Sequence, residues 1–149
     1  MTGAGEDECG EVTGWKPLEI GGFMDGIGPL LATRSQEEWR YGLDTDARHL
    51  NPIGLVHGGV TASLIDHAFA MVAWEASGRA PTATVQMDIR YLGAARKGDR
   101  LEASAVIRHR TGSMLFLDAD VQAAGRAVAS ASAIMKIIRP SSGASRDTQ

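Results

Sequence analysis

Asp66 is the residue hardest to place on grounds of burial alone. It stands in the run Val60–Ser77, VTASLIDHAFAMVAWEAS, where almost every neighbour is apolar or small. A carboxylate in such surroundings is costly unless it is paired, hydrated or neutralised. Leu64, Ile65, Ala68 and Phe69 offer it no charge, and His67 would point roughly 100° away round a helix. Two readings stay open: a side chain bonded to a backbone amide or a basic strand residue, or a general base or nucleophile. Just upstream stands His57-Gly58-Gly59. The glycines could serve only a tight loop-to-helix turn. They also leave amides bare at the positive end of a helix macrodipole, which suits a developing oxyanion. Free amides and a carboxylate are the two halves of an acyl-transfer site.

Spacing constrains how those halves could meet. Asp66 lies eight residues after Gly58, roughly 12 Å along one helix at about 1.5 Å per residue. Both cannot touch one carbonyl carbon from the same chain. An antiparallel pair of such helices across a two-fold axis would bring the amide of one chain to the carboxylate of another, in two equivalent sites. The site therefore requires at least a homodimer.

The elements that must hold these residues are legible from periodicity. Val60–Ser77 lacks proline and internal glycine and stops at Gly78, as a helix should. Its apolar residues run nearly all round, which predicts a buried helix. Upstream, Pro29–Thr33 and Glu38–Thr45 read as short strands joined around Ser35-Gln36, and Asp46–Val56 as a turn-rich loop. After residue 80 the period becomes two. Four strands are predicted, around Val85–Tyr91, Leu101–Ile107, Leu115–Val121 and Ala127–Ile137, bounded by turns at Lys97-Gly98-Asp99, Thr111-Gly112-Ser113 and Ala124-Gly125-Arg126. They are expected to form an antiparallel meander whose concave face holds the helix. The fold class is thus α+β, with a long antiparallel sheet wrapped around a central helix of about residues 59–77. Residues 15–140 should make one domain, with flexible tails at 1–14 and 141–149.

Bulk properties exclude several roles. Of 149 residues 44% are hydrophobic and 22% charged, and the net charge is -3, which gives no general attraction to nucleic acid. No signal peptide or membrane span is read, and the single cysteine, Cys9, excludes an internal disulfide. A cytoplasmic protein is expected. There is no G-x-S-x-G elbow, and His49, His57, His67 and His109 lack zinc-site spacing, so no metal is expected. His49 reads as loop structure. His67 reads either as a helix residue satisfied by a neighbouring strand or subunit, or as one lining a pocket. Phe69, Met71 and Trp74 read as packing.

The run His49-Leu50-Asn51-Pro52-Ile53-Gly54-Leu55-Val56-His57-Gly58-Gly59, followed by Leu64-Ile65-Asp66, resembles the signature of PaaI-type hot-dog thioesterases. The likeness extends to Gly22-Phe23, Gly28-Pro29-Leu30, Thr84–Leu92 and Lys97-Gly98-Asp99, and so covers roughly residues 20 to 138. The resemblance implies a hot-dog fold and hydrolysis of an acyl-CoA, with CoA as part of the substrate and no separate cofactor. Gly58 would polarise the thioester carbonyl with help from Asn51, His57 would support that end, and Gly59 would contact substrate. Asp66 of the partner chain would be general base or nucleophile, oriented by Thr84. Arg96, Lys97, Arg108 and Arg110 become candidates for the CoA phosphates, against the simpler reading of solvated strand ends. Homotetramers are common in the family. The alternatives are a non-catalytic acyl-CoA sensor and a hot-dog enoyl-CoA hydratase.

Overall fold

The computed structural model describes residues 14–140; the tails expected at 1–14 and 141–149 lie almost wholly outside them. Strand β1 (Lys16–Leu18) leads to a short helix α1 (Phe23–Ile27) and then to β2 (Leu30–Ser35) and β3 (Glu38–Asp44). A 3-10 turn at Ala47–His49 precedes the long helix α2 (Gly58–Ala76), and β4 (Thr82–Tyr91), β5 (Arg100–Arg110), β6 (Met114–Ala123) and β7 (Arg126–Ile137) complete the chain. The strands form one antiparallel sheet in the order β1-β2-β3-β5-β6-β7-β4.

The predicted four-strand meander needs correction. β5, β6 and β7 are consecutive neighbours, but β4 pairs with the far side of β7 and forms the sheet edge. The turn signal at Lys97-Gly98-Asp99 is real, with Gly98 at φ +92°, yet it does not close a hairpin between β4 and β5. Leaving β4, Leu92 and Gly93 donate to the Val128 carbonyl. Gly93 passes so close to β7 that an added Cβ would lie 2.6 Å from the Ala127 carbonyl oxygen. The chain then runs past the start of α2, where Val56 donates to the Ala95 carbonyl at 2.8 Å, and enters β5 beside β3.

Helix α2 packs against β3 through β7. Leu64, Ile65, Ala68, Phe69 and Ala73 are fully buried against sheet residues such as Leu101, Leu115 and Leu117. Burying each large side chain contributes about 1.5–3 kcal/mol, so this face fixes the helix on the sheet. The all-round burial expected of the helix is not found in the single chain. Ala62, Ser63, Asp66, His67 and Ala70 are only half-buried and Trp74 is exposed. A lone chain thus leaves open a helix face of mostly small residues around Asp66 and His67.

Candidate active site

The start of α2 is built by His57. Its imidazole caps the helix: Nδ1 accepts the Gly59 N–H at 2.8 Å, satisfying one of the amides a helix start leaves orphaned. This capping role was not expected. It also separates the two glycines: Gly59 has its amide occupied from within, while the Gly58 N–H meets no acceptor among the described residues. Tyr91, which the sequence reading missed, lies over this turn. Its hydroxyl donates to the Gly58 carbonyl at 2.8 Å, and a Cβ at residue 58 would come within 3.2 Å of its ring.

Asn51 organises the preceding loop. Its Oδ1 accepts the Ile53 and Leu55 N–H groups at 3.1 and 3.0 Å, so its side-chain NH2 is what remains for a ligand. His49, read as loop structure, is buried. Its Nδ1 accepts the Asp46 N–H at 2.9 Å, its Nε2 meets the Ile27 carbonyl, and its own carbonyl accepts from His57. Arg48 reaches the Gly26 and Gly28 carbonyls at 3.1 and 3.0 Å. Helix α1 is thereby tied to the loop that leads into α2.

Asp66 is half-buried and its partner is neither an amide nor a base. Thr84 donates from Oγ1 to Asp66 Oδ1 at 2.7 Å. A β-bulge makes this contact. Thr84 pairs with Met135 and Gln86 with Ile134, leaving Val85 unpaired. Cross-strand partners share a face of the sheet. Thr84 opposite buried Met135, and Met87 opposite buried Ala133, therefore both face the helix, although three residues separate them. Strict alternation from Met87 would have turned Thr84 outward; the bulge re-aims it. Asp66 opens on a pocket of about 410 Å³ lined by Phe23, Met24, Ala62, Ser63, His67, Ala70 and Met87. His67 has no neighbouring strand group to satisfy it: its Nε2 is buried without a hydrogen-bond partner among the described residues. Burial pushes its pKa down, against the opposing charge of Asp66.

Neither Gly58 nor Asn51 lines that pocket. Within one chain the structure therefore brings Thr84 to Asp66, and Gly58, His57 and Asn51 to the helix start, but does not unite the two groups. The basic candidates divide likewise. Arg96 and Lys97 lie beside the helix start, where Leu55 bridges to Arg96. Arg110 donates to the Ala76 carbonyl at the opposite end of α2, a favourable place for a cation. Arg108 is engaged by Asp118 at 2.9 Å, and the His109 ring leans on Phe116. Among the described residues no cluster of His, Cys, Asp and Glu could hold a metal ion.

A single long helix laid across an antiparallel sheet that curls around it, with a glycine-rich helix start and a carboxylate midway along, defines the hot-dog class. The model of the thioesterase superfamily matches residues 53–130, more than half of the chain, and the chain belongs to that superfamily. It is 29% identical over 89 residues to human acyl-coenzyme A thioesterase 13, a match spanning 58% of this chain and 64% of that protein. A mutant of the phenylacetic acid degradation protein PaaI from Thermus thermophilus superposes with a TM-score of 0.70 at 26% identity, covering 78% of this chain and 98% of that one. A hypothetical thioesterase from Streptococcus pneumoniae, solved with coenzyme A, gives 0.62 at 26% identity over 67% of this chain and 80% of its own.

Proposed function

We propose that this protein is an acyl-CoA thioesterase, converting an acyl-CoA and water to the free acid and CoA at sites shared between two chains. The observation that carries this reading is the Thr84–Asp66 hydrogen bond. It ties one carboxylate oxygen down and leaves the other available at the pocket, as a general base or nucleophile requires. The Gly58 amide supplies the second half, pointing an unused N–H from a helix start toward where an oxyanion would form.

The two halves are joined by pairing two chains. Gly58 of one chain receives the thioester carbonyl oxygen, with the Asn51 NH2 helping to hold it or the water. Asp66 of the other either takes a proton from the water that attacks the carbonyl, or attacks the carbonyl itself to form an anhydride. Water then hydrolyses that anhydride to the free acid and the regenerated carboxylate. On either route the CoA thiolate leaves. The open face of α2 supports such pairing, as does the β4 edge, where Val85, Tyr91 and Leu92 are more than half exposed. Coenzyme A in the Streptococcus structure supports CoA as the carrier, and Arg96 and Lys97 are its phosphate contacts.

Subunit complementation tests the reading. Asp66→Ala removes the carboxylate, and Gly58→Val shields the amide while the exposed Tyr91 ring can swing aside. Each variant alone should release almost no thiol from a panel of acyl-CoAs. Mixed one to one, they should recover about a quarter of wild-type activity, since half of randomly paired dimers carry one intact site of two. If activity is absent from the mixture but present in wild type, Asp66 and Gly58 do not cooperate across chains. A wild type inactive on every acyl-CoA would overturn the hydrolase.

A further inference from the structure

Gly58 and Gly59 each bring a backbone N–H and a carbonyl to the start of α2, and side chains hold all but one of these groups. The Gly58 carbonyl accepts the Tyr91 hydroxyl at 2.8 Å, the Gly59 N–H is taken by His57 Nδ1 at 2.8 Å, and the Gly59 carbonyl accepts Ser63 Oγ at 2.7 Å. The Gly58 N–H alone meets no acceptor among the described residues. Tyr91 and His57 hold a single peptide unit from its two poles, because the Gly58 carbonyl and the Gly59 N–H share one plane and point opposite ways. The peptide before it is braced as well, the His57 carbonyl accepting from Val60 at 2.9 Å. Gly58 Cα is the joint between these two planes, and glycine is the residue with most freedom to turn there.

The Tyr91 ring also accounts for the glycine itself. Gly58 lies in α2 without a positive φ, so the backbone alone would accept an alanine. A Cβ would instead meet Tyr91 ring and hydroxyl atoms at 3.2, 3.3 and 3.4 Å. The ring stands on firm footing although it is exposed. Tyr91 pairs with Ala129 of β7, and the adjoining Leu92 and Gly93 both donate to the Val128 carbonyl.

We propose that Tyr91 is a positioning residue for the Gly58 amide, fixing the direction of the one free N–H through the peptide that follows it. The inference rests on the acyl-CoA reading above. A donor stabilises a developing oxyanion most when it need not reorganise as the charge forms, and the Tyr91 hydroxyl removes the motion that such reorganisation would use. Strand β4 then serves both halves of the chemistry, Thr84 aiming the carboxylate of its own chain and Tyr91 the amide. Those halves belong to different sites of the dimer, so Tyr91 acts only on the site that uses its own chain's Gly58.

Chain-specific complementation tests this. Tyr91→Phe keeps the ring and removes the hydroxyl. As a homogeneous protein, on the panel acyl-CoA that wild type hydrolyses fastest, it should lower kcat by about five- to twentyfold, less than the roughly hundredfold cost of a full 1 Å misplacement. KM and melting temperature should stay close to those of wild type. In the mixture of Asp66→Ala and Gly58→Val, the working site takes its amide from the Asp66→Ala chain and its carboxylate from the other. Adding Tyr91→Phe to the Asp66→Ala chain should cut the recovered activity by the same factor as in the homogeneous protein. Adding it to the Gly58→Val chain, whose amide is already disabled, should leave the recovered activity as it was. A role confined to folding or to chain pairing would act equally from either chain. Equal loss from both chains, loss only from the Gly58→Val chain, or a wild-type kcat in Tyr91→Phe overturns the inference. If the mixture recovers nothing, the shared site falls, and the kcat of homogeneous Tyr91→Phe decides the role of the hydroxyl. Hydrolysis that Tyr91→Phe does not slow sinks only the positioning role, whereas a wild type inactive on every acyl-CoA sinks the hydrolase and this role together.

Discussion

Thr84 Oγ1 and Asp66 Oδ1 lie 2.7 Å apart, joining the edge strand of the sheet to the middle of the helix. The bond orients a half-buried carboxylate that has no ion-pair partner among the described residues. Asp66→Asn should lower the rate constant for thiol release by about 10²–10⁴-fold, the usual range for loss of a positioned base. Thr84→Val should cost much less, about tenfold, because the carboxylate stays but loses its aim. Thr84→Ser should stay close to wild type. Equal activity in Thr84→Val and wild type would mean that the hydroxyl does not orient Asp66.

The cap at His57 makes a prediction about stability apart from chemistry. His57→Ala strips the acceptor from the Gly59 amide and should cost about 1 kcal/mol in urea unfolding. His57→Asn places another good capping side chain there and should recover most of that stability. An Asn variant as unstable as the Ala variant would show that the imidazole acts through something other than the cap.

The depressed pKa of His67 sets a sign for pH dependence. The unfolded chain binds a proton at His67 more readily than the folded one does. Stability from this group is therefore fully present above the unfolded value of about 6.5 and is lost as pH falls through the lower folded value. Melting temperatures recorded from pH 7.5 down to pH 5 should fall more steeply for wild type than for His67→Phe. Parallel slopes would contradict the burial effect.

The basic residues should separate by their existing commitments. The Arg96 and Lys97 side chains make no ion pair among the described residues, whereas Arg108 is held by Asp118. Arg96→Ala and Lys97→Ala should raise KM for acyl-CoA several-fold with little change in kcat, an effect that shrinks as salt is added. Arg108→Ala should leave KM unchanged. A raised KM in Arg108→Ala would move a phosphate contact to Arg108 on β5, beside Asp118.

Periodicity made much of the fold legible. Strands β5 to β7 and helix α2 stand within a few residues of their predicted bounds, because a period of two or a capped apolar run leaves little choice. The position of β4 was not legible: a turn signal says that the chain bends, not which strand it bends toward. At the site, Asp66 was conspicuous as a carboxylate in an apolar run. Thr84 came only from the family likeness, since the bulge at Val85 is silent in the alternation pattern. The different fates of the Gly58 and Gly59 amides could not be read from two identical residues. They depend on which way the His57 ring turns. Tyr91 looked like one more apolar strand position, and its hydroxyl revealed nothing about where it would land.

The unpaired Val85 acts on β4 as a shift of reading frame acts on a message. On one side of it the helix-facing positions fall on Thr82 and Thr84; on the other they fall on Met87, Ile89 and Tyr91, each opposite a buried residue of β7. One strand thereby presents two short hydroxyl side chains along one stretch and large side chains along the next. Deleting Val85 would leave Thr82, Thr84 and Met87 on the helix face by plain alternation. Keeping it while ironing out the bulge would slide the pairing by one residue and turn both threonines to the far side of the sheet. The pairing of this strand, and not only its letters, therefore specifies the site.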